Sequence, residues 1–182
     1  MSLKLTLYEY SKRKMVSSNT ETIAIRQGVA PTGKAIKVLS SIIVASTAGL
    51  IVASVFKASL LAVGSVLAII VVLCYMRTPV EYEVKNNQLR ILMRIGEKRF
   101  EPVVKCSLVE ERVNMGIRLW GNGGLFAATG VFWSKKNGVF RAYITAYKSE
   151  ELVEVEIGER KVYISPENPA SFVLLSKSMD GY

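Results

Sequence analysis

The chain has 182 residues, half of them apolar, with a mean hydropathy of +0.28 and a formal net charge of +9. It contains no histidine, which excludes histidine-based general bases, catalytic triads and metal sites, and two cysteines are too few for a zinc knuckle. Residues 1–37 carry seven basic and two acidic side chains, whereas residues 77–182 carry sixteen and thirteen. The nearly balanced C-terminal part is therefore not expected to bind nucleic acid. We also predict no catalytic residue, no cofactor, no metal and no small-molecule substrate.

Residues 1–37 are predicted to form an N-terminal arm with a β-hairpin and a basic linker. Leucines alternate with polar residues over positions 3–7, which predicts a strand. Residues 22–26 are candidates for its partner strand, with a basic turn at residues 12–14 between them. The arm either extends a sheet of the C-terminal domain or contacts another protein, and the sequence leaves both alternatives open.

Residues 38–76 are predicted to form a transmembrane helical hairpin. Residues 38–56 and 58–76 are two uncharged stretches of nineteen residues, separated by Lys57. A bilayer core about 30 Å thick needs roughly 20 helical residues, so each stretch is long enough to cross it. One continuous helix would be about 58 Å long, which favours a turn near Lys57. The alternative is a buried hairpin in a soluble protein, but such helices normally carry a polar stripe.

The charges that flank the hairpin predict its orientation. Lys34 and Lys37 precede the first stretch and Arg77 follows the second, whereas the turn holds Lys57 alone. Because cytoplasmic flanks are enriched in basic residues, both termini are expected in the cytoplasm of a multi-pass protein of the cell membrane.

Small residues recur at a spacing of four within the hairpin, which lets two helix backbones approach closely. The candidate packing residues are Ala45, Gly49, Ala53, Gly64 and Ala68. They serve either packing within the hairpin or docking onto a larger membrane complex.

From residue 78 the apolar period changes to two, which is typical of β-strands. Turn signals occur at Asn86-Asn87, Gly96-Glu97, Asn137-Gly138 and Gly158-Glu159. They divide the domain, residues 77–182, into about seven short antiparallel strands. The predicted strands are residues 80–84, 89–95, 99–108, 125–133, 139–146, 152–157 and 161–165.

One helix is predicted after these strands. Asn168 can cap it, Pro169 suits its first position, and residues 170–177 continue it, with Phe172 and Leu175 on one face. The pattern predicts an α+β membrane protein whose antiparallel sheet forms a partly open barrel or an orthogonal sandwich, closed at one end by the helix.

The order RLWGNGGLFAATGVFWSKKNGVFRAYIT (residues 118–145), a strand hairpin, and then SPENPASF (residues 165–172) resembles small prokaryotic pleckstrin-homology-like domains. The likeness covers residues 80–178, and members of that family often follow two transmembrane helices. It implies a seven-stranded barrel with a C-terminal capping helix, and binding or scaffolding rather than catalysis.

The lipid-binding property of pleckstrin-homology domains is not carried over by this resemblance. Phosphoinositide-binding members use a Lys followed by a Lys/Arg-x-Arg group in the next strand. The matching stretch here offers Lys85, Arg90 and Arg94, but Leu92 stands where another Arg is required.

Three other patterns have competing interpretations. The first is a basic and aromatic group, the candidate contact with lipid or a partner, whose residues are Trp133, Lys135, Lys136 and Arg141. In the alternative interpretation, the aromatic side chains of this stretch fill the core and the lysines are solvated in a turn. The glycine-rich residues 120–124 suit a tight corner better than an anion cradle. The glutamates at residues 150–156 suit a solvated strand face better than catalysis or a hard cation.

The sequence therefore predicts a non-catalytic, membrane-anchored accessory protein that stabilises or scaffolds a membrane assembly. Its expected partners are the lipid bilayer and either another membrane protein or further copies of itself. The alternative is a sensor of anionic lipid headgroups that uses the basic β-hairpins.

Overall fold

The computed structural model describes residues 24–55, 59–109 and 115–179. Two apolar helices, α1 (Lys34–Ala53) and α2 (Ser59–Met76), lie where the two apolar stretches predict them. The predicted turn at Lys57 lies outside the described residues, as do the strand at residues 3–7 and the basic turn at residues 12–14.

The rest of the described chain is mostly strand. The strands are β1 (Ile25–Gly28), β2 (Pro79–Lys85), β3 (Gln88–Met93), β4 (Glu97–Phe100), β5 (Val103–Leu108), β6 (Ile117–Gly123), β7 (Ala128–Ser134), β8 (Gly138–Ile144), β9 (Val153–Ile157) and β10 (Arg160–Ile164). A 3₁₀ turn spans Ser149–Glu151, and a third helix, α3 (Pro169–Met179), follows the last strand.

The strands form two sheets. Sheet 1 has the antiparallel order β1-β2-β3-β4, and sheet 2 has the order β5-β9-β10-β8-β7-β6. The predicted α+β class with a C-terminal helix is confirmed. The sheets are not closed into a barrel, however, and β10 pairs with β8 in parallel, which corrects the all-antiparallel prediction.

The predicted strand at residues 99–108 is in fact two strands in different sheets. Pro102 has no backbone N–H and cannot continue a ladder, so β4 ends before it in sheet 1 and β5 begins after it in sheet 2. This break lets the chain pass from one layer of the sandwich to the other.

The glycine-rich stretch predicted as a corner runs mostly within β6. Gly121 lies directly opposite Gly130 of β7. A Cβ at Gly130, where φ is +138°, would lie 2.1 Å from the carbonyl oxygen of Trp120. These glycines therefore permit a close approach between two strands, a role that a single-sequence pattern does not distinguish from a turn.

Strand β1 precedes the helical hairpin in sequence but belongs to the domain that follows it. Ile25 lies opposite Val84 and Gly28 opposite Glu81, so β1 is the outermost described strand on that side of sheet 1. This part of the N-terminal arm thus extends a sheet of the C-terminal domain.

A buried polar network fixes the chain between β1 and α1. Thr145 donates its hydroxyl to the carbonyl oxygen of Ala30 (2.7 Å), and its own carbonyl accepts the N–H of Gly33 (2.9 Å). Ser165 accepts the N–H of Ala30 through its carbonyl (2.8 Å) and the N–H of Thr145 through its hydroxyl (2.9 Å). Tyr82 donates its hydroxyl to Tyr143 O (2.7 Å) beside this network. The base of α1 is therefore attached to the ends of β8 and β10.

An ion-pair ladder links all four strands of sheet 1. The carboxylate of Glu83, 2 % exposed, accepts bonds from Arg26 (2.8 Å) and Arg90 (2.9 Å). Arg90 also bonds Glu97 (2.7 Å), which contacts Arg99. Hydrogen bonds from Arg90 and Arg99 lower the pKa of Glu97. This pairing therefore stabilises the fold above the ordinary glutamate pKa and is lost as the pH falls through the lowered, folded-state value.

The main core lies between the two sheets, and α3 closes it. Phe172 and Val173 are buried in the cluster that includes Tyr82, Ile91 and Val155. The side chain of Asn168 accepts the N–H of Ser171 (3.2 Å), which confirms the predicted cap. A second cluster on the other face of sheet 2 includes Phe132, Phe140 and Tyr163.

Replacing Thr145 by valine should loosen the attachment of α1 to the domain. Valine has a similar volume but no hydroxyl, so the buried carbonyl of Ala30 loses its partner at a cost of about 1–3 kcal/mol. Unfolding of the full-length protein in detergent should begin at lower denaturant, and the amide of Gly33 should exchange hydrogen faster. Thr145→Ser, which keeps the hydroxyl, should stay close to wild type. Equal stability of Thr145→Val and wild type would contradict the role given to this network.

Candidate functional site

The two helices approach each other closely at Gly64, and few other residues of either helix are buried. Ile36, Ser40 and Thr47 are the buried residues of α1, and Gly64 is the buried residue of α2. A Cβ at Gly64 would lie 3.1 Å from Ile51 Cγ1, so the backbones approach closely there. Thr47 satisfies its hydroxyl by donating to the carbonyl oxygen of Ile43 (2.8 Å).

The predicted packing residues lie on different sides of the hairpin. Gly64 is buried against α1, and Ala53 and Ala68 are partly buried. Ala45 and Gly49 are exposed, and a Cβ at Gly49 would meet nothing within 4 Å. These two residues therefore do not take part in packing within the hairpin.

Little of the apolar surface of the hairpin is covered by the domain. Both helices are long and apolar enough to cross a membrane, and only 17 % of the α1 window and 6 % of the α2 window are buried. A core hairpin of a soluble protein would be enclosed by other elements, and these helices are not. The hairpin thus has the length, composition and exposure of a membrane-associated element.

The helices leave the domain at one end, which we call the helix-proximal end. The N–H of Ile95, in the β3–β4 turn, donates to Met76 O at the end of α2 (3.0 Å). The N–H of Phe126, in the β6–β7 loop, donates to the hydroxyl of Ser40 in α1 (2.8 Å). The turns β2–β3, β7–β8 and β9–β10 therefore lie at the opposite, helix-distal end, because they terminate the same strands on the other side.

An apolar patch on β6, β7 and β8 is left uncovered by sheet 1. Ile117 lies opposite Trp133, which lies opposite Val139, and Trp120 shares their face of the sheet. The same face carries Tyr143, which is buried in the main core. Farther from that core, Trp120 is 79 % and Trp133 is 42 % exposed. We call Ile117, Trp120, Trp133 and Val139 the β6–β8 patch.

The patch has a basic rim and a free backbone edge. Residues 112–149 include no acidic side chain, and Lys135 and Lys136 are exposed in the turn beside Trp133. The structure thus brings together three of the four predicted contact residues. Among the described strands, β6 has a partner on one side only, so its other side can accept an added strand.

Arg141, the fourth predicted contact residue, lies beside a different feature. Its guanidinium carbon is 5.3 Å from the ring centroid of Phe100. Both line a helix-distal cavity of about 360 Å³ between the sheets. The lining residues are Arg99, Phe100, Glu101, Pro102, Arg141, Ile157, Gly158, Arg160 and Val162. Arg99 is paired with Glu97, which leaves Arg141 and Arg160 as the cavity arginines that form no ion pair within the described part of the chain. Sequence reasoning missed the site because three separate segments of the chain build it.

A family model described as Bacterial PH domain matches residues 80–178, more than half of the chain. The chain belongs to the bacterial PH domain family. The match runs from β2 to α3, so the bacterial PH domain comprises both sheets except β1, and it excludes the helical hairpin. The sequence has no significant match among curated proteins or among solved structures.

Glu154 and the glycine-rich stretch of the bacterial PH domain have internal partners. Glu154 accepts bonds from Lys161 (2.7 Å) and from the hydroxyl of Tyr163 (2.6 Å). Burial, together with this hydrogen bond, raises the pKa of Tyr163. The side chain of Asn122 accepts the N–H groups of Gly124 (3.2 Å) and Leu125 (3.0 Å), the groups that an anion would need. Both features therefore stabilise the domain. Among the described residues, no three His, Cys, Asp or Glu side chains form a group suited to a metal ion.

Leucine substitutions at the two helix glycines should separate packing within the hairpin from contacts outside it. Gly64→Leu must push Ile51 and the α1 backbone away, so the melting temperature of the detergent-solubilised protein should fall by several degrees. Gly49→Leu enters open space and should leave that temperature nearly unchanged. If both variants melted like the wild type, the hairpin packing described above would be wrong.

Proposed function

We propose that this bacterial PH domain protein is a non-catalytic accessory protein that anchors and stabilises a membrane assembly. The hairpin crosses the cell membrane twice, and both termini lie in the cytoplasm. Lys34, Lys37 and Arg77 support this orientation, because all three basic residues lie at the helix-proximal end of the domain.

The uncovered β6–β8 patch is the observation that carries the proposal. Monomeric soluble domains rarely leave large aromatic side chains exposed in one apolar area, and such areas mark binding surfaces. Trp133 is five residues beyond the helix-proximal start of β7, about 17 Å along the strand, so it is held away from the domain's own membrane. A protein partner is therefore favoured over the bilayer as the occupant.

The chemistry of the patch defines the partner. A segment with apolar side chains for Trp120 and Trp133, and an acidic side chain for Lys135, would complement it. Such a segment could add a strand to the free side of β6, where backbone hydrogen bonds give affinity and side chains give specificity.

The hairpin offers a second contact to the same assembly. Ala45 and Gly49 face outward, where small side chains permit the close approach of a neighbouring membrane helix. Two contacts on one protein raise the effective concentration of each, so weak individual contacts suffice to hold an assembly.

The alternative function, a sensor that reads headgroups with its basic β-hairpins, is supported less well. Lys85 and Lys135 lie at the helix-distal turns, while Arg90 is engaged by Glu83 and Glu97. The domain cannot bring those turns to the bilayer that its own helices occupy unless it separates from the helix bases.

Cysteine labelling in intact cells tests the topology. In a background without Cys74 and Cys106, Val55→Cys at the end of α1 should react with a membrane-impermeant maleimide added outside. Asn137→Cys, in the β7–β8 turn, should react only after lysis. Labelling of Asn137→Cys in intact cells, or protection of Val55→Cys, would contradict the proposed orientation.

Loss of the two tryptophans tests the partner surface. Aromatic anchors at protein interfaces commonly contribute about 2 kcal/mol each. Trp120→Ser/Trp133→Ser should therefore release the protein from the stoichiometric assembly that native mass spectrometry detects after gentle detergent extraction. Leu174→Ser, which changes a residue 69 % exposed on α3, is the matched control and should leave the assembly intact.

Three outcomes of that experiment would count against the proposal. The wild-type protein could be detected alone after extraction, which would mean that it belongs to no stable assembly. It could be detected only with further copies of itself, which would mean that it forms a homo-oligomer and does not bind a different protein. The tryptophan variant could remain fully associated, which rejects the β6–β8 patch as the contact.

A further inference from the structure

The helix-proximal end of the domain carries five cationic side chains from four separate segments. They are Lys34 and Lys37 in the first turn of α1, Arg77 after α2, Arg94 in the β3–β4 turn, and Arg118, whose side chain extends from the far part of β6 to Gly123. All five residues are exposed. We call this set the basic collar.

Arg94 is held against the end of α2. Its guanidinium carbon lies 4.2 Å from the ring centroid of Tyr75, in the last turn of that helix. Its backbone N–H donates to Thr78 O (3.0 Å), and the next residue, Ile95, donates to Met76 O (3.0 Å). Stacking on the ring orders the guanidinium while leaving its N–H groups able to bind a phosphate.

The side chain of Arg118 extends along β6 toward the helix-proximal end. A Cβ at Gly123 would be 3.1 Å from Arg118 Nη1, so this side chain lies along the start of the β6–β7 loop. A Cβ at the next residue, Gly124, would be 3.7 Å from Leu39 of α1. The β6–β7 loop contacts both helices, through Ser40 of α1 and Tyr75 of α2. Arg94 beside α2 and Arg118 beside this loop thus both lie where the hairpin leaves the domain.

The collar cations differ from the arginines of sheet 1 in lacking acidic partners. Arg26, Arg90 and Arg99 are paired with glutamates in sheet 1. Within residues 24–55, 59–109 and 115–179, none of the five collar residues forms an ion pair. Residues 24–80 and 112–149, which contain every collar residue except Arg94, include no Asp or Glu at all. The collar charges are therefore available to a ligand.

We propose that the basic collar binds the phosphate groups of anionic phospholipids in the cytoplasmic leaflet. This inference rests on the proposed membrane crossing, because only then does the collar lie at headgroup level. Cations near such a surface attract anionic lipid, and planar guanidinium groups bind phosphate oxygens in pairs. The lipid would be held at the helix-proximal end, and the part of the β6–β8 patch around Trp133, at the far end of β7, would remain free for a partner.

The test measures lipid retention by the full-length protein. Wild type and variants are placed in nanodiscs of phosphatidylcholine with a minor share of phosphatidylglycerol, and native mass spectrometry counts the phosphatidylglycerol that stays bound after release from the disc. Arg77→Gln/Arg94→Gln/Arg118→Gln removes three collar charges. Lys85→Gln/Lys105→Gln/Lys177→Gln removes the same net charge from residues that lie outside both the collar and the β6–β8 patch, and it is the matched control. Circular dichroism verifies that each variant is folded.

The collar variant should retain phosphatidylglycerol roughly tenfold less well than wild type, and the control should retain it as wild type does. Retention by wild type should also fall as salt rises. Arg94→Lys, which keeps the charge but loses the planar stack on Tyr75, should be intermediate. Equal retention by the collar variant and wild type, or equal loss by the control, would overturn the proposal. Failure of the wild-type protein to enter nanodiscs would instead reject the membrane crossing itself.

Discussion

The attachment of β1 to the domain that follows the hairpin is the constraint on which the rest of the structure depends. Ile25–Gly28 pairs with β2, and Thr145 and Ser165 then hold the chain up to Gly33. Because α2 leads directly into β2, both helices are tied to the same end of one sandwich. The hairpin therefore leaves the domain at one defined end, and this defines which end of the domain is helix-proximal and which is helix-distal.

The distinction between the two ends of the domain separates basic residues that look alike in the sequence. Lys85, Lys135 and Arg94 are all basic residues of β-hairpins, yet only Arg94 lies beside a helix. The exposed Trp133 lies beside Lys135, away from the membrane that the helices would occupy. Lipid contact at one end and protein contact at the other then become compatible in a single small chain, which is what an anchoring protein requires.

Local signals predicted much of the fold. The apolar stretches, the Asn-Gly turn before β8 and the cap at Asn168 are decided by neighbours in sequence, and the structure has them in place. Contacts between segments that are distant in sequence were not predicted. The parallel pairing of β8 with β10 and the arginine cavity around Arg141 depend on which segments meet after collapse. Periodicity within one segment does not carry that information.

Disulfide trapping of β1 on β2 tests the central claim most directly. In full-length protein without Cys74 and Cys106, a Gly28→Cys/Glu81→Cys pair sits at opposed positions, whose Cα atoms in an antiparallel ladder lie within disulfide reach. Mild oxidation in native membranes should give an intramolecular bond in high yield. The register-shifted pair Gly28→Cys/Glu83→Cys should give little. Equal yields from both pairs, no bond, or a bond only between two copies would contradict a hairpin that leaves and returns to one end of its own domain.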